Sequence, residues 1–158
     1  MPLAAHADWA QIEKEACGQT VYFNAWGGSE VTNAYIAWAA KAVQSRYGVT
    51  LKHVKVSNAA NRVKRVQTEL AAGRTQGGSI DLMWVNGENF RKLKDSGLLL
   101  GPWAEFMTNW DLINLNKPVR SDFSVPTNGY EVPWGTAQLT FIANQAATPP
   151  RKPLCSKR

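Results

Sequence analysis

At 158 residues, with 44% hydrophobic and 10% aromatic residues, the chain can bury one sizeable core, since a domain of about 150 residues hides roughly 70% of its unfolded surface, and wholesale disorder is excluded. No uninterrupted apolar run reaches the ~20 residues that a membrane-spanning helix needs. Of the net charge of +6, Arg151, Lys152, Lys157 and Arg158 supply four, leaving +2 for residues 1–150. With no concentrated basic stripe, a nucleic-acid partner is excluded.

Ala5-His6-Ala7 ahead of Asp8 has the small-x-small pattern of a signal-peptidase site, so residues 1–8 are expected to be a signal-peptide remnant or an appended start. Residues 9–16 predict a short amphipathic helix through Trp9, Ile12 and Ala16. Residues 20–26, β-branched and aromatic, predict a strand. Gly27-Gly28 follows it, and Ser29 is placed to cap a helix in which Val31, Ala34, Tyr35, Trp38, Ala39, Ala42 and Val43 form one apolar stripe, ended by Gly48.

The pattern then repeats. Residues 51–57 predict a strand, Asn58 a cap, and Val63, Val66 and Leu70 the stripe of a helix that closes at Gly73. Residues 80–85, nearly all apolar, predict a strand buried on both sides. A helix around residues 90–96 follows, ended by Gly97. Residues 103–110 are expected to be helical, 112–128 an irregular polar connection, and 130–145 two extended pieces interrupted by Pro133 and Gly135. Three strand–helix units predict an α/β fold with an open, mainly parallel sheet, right-handed crossovers and flanking helices.

Open parallel sheets bind ligands beyond the carboxyl ends of their strands. Three such ends carry Asn24, Trp26, Gly27, Gly28, Ser29 and Glu30; then Ser57, Asn58 and Asn61; then Trp84, Asn86, Gly87, Glu88 and Asn89. The bland alternative is three ordinary capped turns. Catalytic chemistry finds no support. His6 and His53 are the only histidines, no GxSxG, P-loop or GxGxxG is present, and no cluster has metal-ligand spacing. Glu30 and Glu88 could act as an acid/base pair, but without a nucleophile or metal a cation-binding role is simpler. No cofactor is implied. Cys17 and Cys155 are far apart and outside any CxxC; they read as unrelated free thiols, with a structural disulfide as the weaker alternative.

The order strand–GG–helix, strand–helix, then "SIDLMWVNGENFRKLKDSGLLLGP" resembles the first lobe of a bacterial ABC-transporter solute-binding protein of the extracellular solute-binding family. The motifs are Ile80-Asp81-Leu82 before a ligand loop, Ser96-Gly97-Leu98-Leu99 at a helix end, Val132-Pro133-Trp134, and Phe141-Ile142-Ala143-Asn144. The resemblance covers about residues 9–150. It implies one incomplete lobe of a two-lobe periplasmic-binding-protein-like fold, a small-molecule solute, a periplasmic location, a membrane permease as partner, and no enzymatic activity. Pro133 and Trp134 join the ligand-binding set on the same ground. The family pattern then departs: "RKPLCSKR", residues 151–158, is foreign to it and is expected to be a disordered or artefactual tail, from a frameshift, a premature end or an appended segment. A lobe lacking its partner would expose sheet edge and helix faces, so self-association into a homodimer is expected.

Trp26, Trp84 and Trp134 with Glu30 and Glu88 favour an organic cation of thiamine or polyamine type. The alternative ligand is a small anion at the helix N-termini with Ser29 and Asn58. The alternatives to solute binding are a small α/β enzyme and a self-associating interaction module.

Overall fold

The structure, a computed structural model, describes residues 8–135. Residues 1–7, the strand expected near 139–142, Cys155 and the basic tail lie outside the described residues. Asp8 caps α1 (Trp9–Ala16), its carboxylate accepting from Ala10 N at 3.1 Å. Then follow β1 (Thr20–Trp26), α2 (Glu30–Tyr47), β2 (Thr50–Val56), α3 (Ala59–Ala71), β3 (Leu82–Met83) and α4 (Gly87–Asp95).

β1 is central in a parallel sheet of order β2-β1-β3. It pairs with β2 from Thr20↔Thr50 to Trp26↔Val56, and with β3 at Phe23↔Leu82 and Asn24↔Met83. The crossover through α2 steps from β1 to one side; the crossover through α3 steps from β2 across β1 to the other. With both right-handed, α2 and α3 cover opposite faces, and a switch point opens between β1 and β3 at the carboxyl edge. Side chains alternate along β1 accordingly. Phe23 and Ala25 pack with Ile36 of α2, joined by Leu51 and Trp84, while Val63, Phe90 and Leu93 are the buried residues of α3 and α4. Full burial of side chains such as Ile36 and Phe90 stabilises the fold by about 1.5–3 kcal/mol each.

Several expectations are corrected. The apolar run 80–85 is not a strand buried on both sides: β3 is two residues long and Leu82 is 43% exposed. Asp81 explains the short pairing, because its carboxylate accepts the Tyr22 N–H at 2.8 Å, doing with a side chain what a strand carbonyl would do. The stripe assigned to α2 is rotated. Val31, Tyr35 and Trp38 face outward, Trp38 at 63% exposure, and Ile36 is the residue buried on the sheet. Over residues 34–43 every position but Lys41 is apolar, so the helix offers two candidate faces and its period alone does not choose between them. On α3, Val63 is buried but Leu70 is exposed. α4 begins at Gly87 rather than near residue 90.

The helix expected over 103–110 is instead two 3-10 turns, Ala104–Phe106 and Trp110–Leu112. The "irregular" connection contains a hairpin, β4 (Ser121–Asp122) with β5 (Val125–Pro126). Its turn, Phe123-Ser124, has φ of 43° and 68°; both central residues are left-handed, as a tight two-residue hairpin requires, though neither residue type favours it. Residues 130–135 form no regular strand.

Candidate functional site

The three expected loops do converge at the carboxyl edge, around a groove of about 360 Å³. Trp26 ends β1; Val56, Ser57 and Ala59 come from the junction of β2 with α3; Trp84, Val85 and Asn86 join β3 to α4. The groove therefore sits across the switch point between β1 and β3, where an open α/β sheet leaves a crevice, and its volume is within the range of small-molecule sites.

Gly27 and Gly28 serve the walls of this groove rather than its contents. A Cβ on Gly27 would lie 2.7 Å from Cβ of Lys55, and one on Gly28 would overlap the six-membered ring of Trp26. Trp26 thus folds back over the Gly28 backbone, which pins an indole that is still 49% exposed. Asn33 of α2 ties the same turn, its Nδ2 donating to Gly27 O at 2.9 Å. Behind the groove Trp134 stacks on Trp84 (centroids 5.1 Å apart, 30°) and meets Tyr35 edge-on (5.6 Å, 83°). Aromatic pairs of this geometry contribute about 0.5–1.5 kcal/mol beyond area burial.

Other candidate residues have different roles. Asn24 is 1% exposed and donates from Nδ2 toward Tyr22 O at 3.4 Å, so it lies in the core, not in the groove. Ser29 accepts from Thr32 N (3.3 Å) and Asn58 from Ala60 N (2.8 Å); both side chains are helix caps. Glu30 is exposed in the first turn of α2. Glu88 pairs with Lys92 at 2.7 Å, with its side chain 77% exposed. The Lys92 ammonium, by hydrogen bond and then by charge, holds the Glu88 carboxyl below the usual range. Pro133 is half-buried ahead of Trp134. His53 is half-buried in β2, Nε2 lying 3.3 Å from Ala25 O.

Gly87 is held from a distance. Its N–H donates to the Asp122 carboxylate of β4, and the Phe123 ring lies 3.4 Å from where a Cβ would stand. With φ of 54° the position suits glycine. Lys94 of α4 donates to Pro126 O, completing the clamp of hairpin on helix. Beside Asp122, burial first and the Asp122 charge second push the Glu131 carboxyl up to about 7, and its Oε2 is buried with no hydrogen-bond partner among the described residues. Asp122 and Glu131 were not among the expected site residues. For Glu131 the signal was present: a lone carboxylate between Tyr130 and Val132-Pro133-Trp134 is of the kind rarely buried without consequence. For Asp122 it was absent, because Phe-Ser is no turn signature.

Fold and groove define the chain as an α/β domain with a small open parallel sheet and a small-molecule-sized groove at its carboxyl edge. It is 56% identical over 148 residues to Protein YnjB of Escherichia coli (strain K12), covering 93% of this chain and 38% of that protein. The chain thus spans less than half the length of that relative. No family model and no solved structure matches it.

Proposed function

We propose that the chain is one lobe of a periplasmic solute-binding protein that delivers a small solute to the membrane permease of an ABC importer, and that it binds rather than transforms that solute. The observation that carries this reading is the groove across the carboxyl ends of β2, β1 and β3, lined by Trp26, Ser57, Trp84 and Asn86. One lobe supplies one wall of such a site. The share of YnjB that lies beyond the match accords with a second lobe closing over it.

Thermal-shift screening tests the reading, with this chain beside full-length YnjB against cationic, anionic and neutral small solutes. A solute present at 100 times its dissociation constant adds ~2.7 kcal/mol to the folded state. The expected result is a clear shift for YnjB and a weaker one for this chain. No shift for either protein across all three classes refutes it.

Self-association has its own support, in the outward face of α2 with Val31, Tyr35 and Trp38 exposed. Sedimentation at increasing concentration would show a dimer that Trp38→Ser weakens; a monomer throughout refutes it.

A further inference from the structure

Each of the three loops at the carboxyl edge carries a polar residue at a helix start, and the three are not equivalent. Ser29 and Asn58 each give a side-chain oxygen to a backbone N–H of their own helix. Asn86 holds the same position ahead of α4 and makes no such bond. The hairpin brings in the Asp122 carboxylate, which accepts the N–H of Gly87, the first residue of α4 and a donor that a side chain at position 86 would not reach. Asn86 therefore lines the groove with a side-chain amide that is not engaged in capping. That amide carries two donors and an acceptor within one uncharged group.

Building on the solute-binding reading, we propose that Asn86 determines the specificity of the groove, and that the solute is an uncharged, ring-bearing molecule lying flat on Trp26 with its polar edge against the Asn86 amide. Among the described residues no charged side chain lines the groove. The carboxylates expected to hold a cation are placed elsewhere, Glu88 on Lys92 and Glu30 exposed at the start of α2. A full charge brought against these uncharged walls would lose hydration with no counter-ion to replace it. An amide that both donates and accepts matches hydroxyls, or a carbonyl next to an N–H. Trp26, pinned by Gly28, offers a flat apolar surface that needs no ordering when a ring settles on it.

The test is an NMR titration of the full chain, following the Asn86 side-chain amide and the Trp26 indole N–H. The neutral ring probes are glucose, maltose and uridine; the cations are thiamine and spermidine; the anion is phosphate. At least one neutral probe is expected to shift both signals saturably. Asn86→Ala should weaken it about tenfold, as loss of a hydrogen bond to a neutral group implies, and should leave the melting temperature unchanged because Asn86 caps nothing. Saturable binding of thiamine, spermidine or phosphate that survives Asn86→Ala overturns this inference and leaves solute binding standing. A neutral probe indifferent to Asn86→Ala overturns it as well. Silence from every probe overturns the solute reading and this inference together.

Discussion

Replacing Glu131 by Gln removes a group whose ionisation the fold opposes strongly. Its carboxyl is half-buried beside Asp122, with Oε2 unpartnered among the described residues, and titrates near 7 in the folded chain against an ordinary value of 4.5. Below pH 4.5 the carboxyl is protonated folded and unfolded alike, and it contributes no pH dependence. Between 4.5 and 7 only the unfolded chain ionises, so the folded state loses stability steadily as pH rises; above 7 the loss is complete and constant. At 1.36 kcal/mol per pKa unit the ceiling is about 3 kcal/mol, and solvent screening of a half-buried group reduces it to about 1–2 kcal/mol. Urea denaturation across pH 4 to 8 checks this: Glu131→Gln should match the parent at about pH 4 and exceed it by about 1–2 kcal/mol at about pH 8. A difference that is the same at every pH would refute the reasoning, because it would owe nothing to ionisation.

Gly28→Ala forces the Trp26 ring off its seat; it should cost about 1–3 kcal/mol and alter the Trp26 indole signal in the NMR spectrum. Asp81→Ala leaves the Tyr22 N–H to water; a loss of about 0.5–1.5 kcal/mol should appear with faster hydrogen exchange at Tyr22. Ser124→Gly relieves a left-handed non-glycine residue and should raise stability by about 1 kcal/mol in denaturant titration. Lys92→Ala breaks only the exposed pair with Glu88 and should change stability by less than about 1 kcal/mol.

The parallel α/β framework was legible because its signals are local. Ser29, Gly48 and Asn58 mark helix ends by chemistry that acts within one turn, and each stands where its type predicts. β1 matches its expected bounds for the same reason, its β-branched and aromatic run being closed by two glycines. What the sequence hid was set by distant partners. No period in residues 30–47 shows that Ile36, rather than Trp38, faces the sheet, because both faces of the helix are apolar. The short β3 depends on a carboxylate at Asp81 reaching Tyr22, 59 residues back. Of the expected site residues, Trp26, Trp84 and Asn86 meet in the groove. Asn24 faces the core because strand alternation sends it away from the Phe23 face.

Polar residues at a ligand-facing edge have two competing employers, the helix starts behind them and whatever enters the groove. An N-cap bond contributes about 1 kcal/mol, so a Ser or Asn next to an uncapped helix is drawn into the architecture wherever its oxygen reaches the second or third N–H. Ser29 and Asn58 are drawn in, and of their loops Ser57 is the polar residue that lines the groove. At the third loop the hairpin delivers Asp122, the strained Phe123-Ser124 turn fixes its approach, and Lys94 holds the assembly against α4. Asn86, with no cap bond of its own, is the polar side chain of that loop left at the groove. Loss of probe binding in Asn86→Ala without loss of stability is what separates a ligand contact there from one more cap.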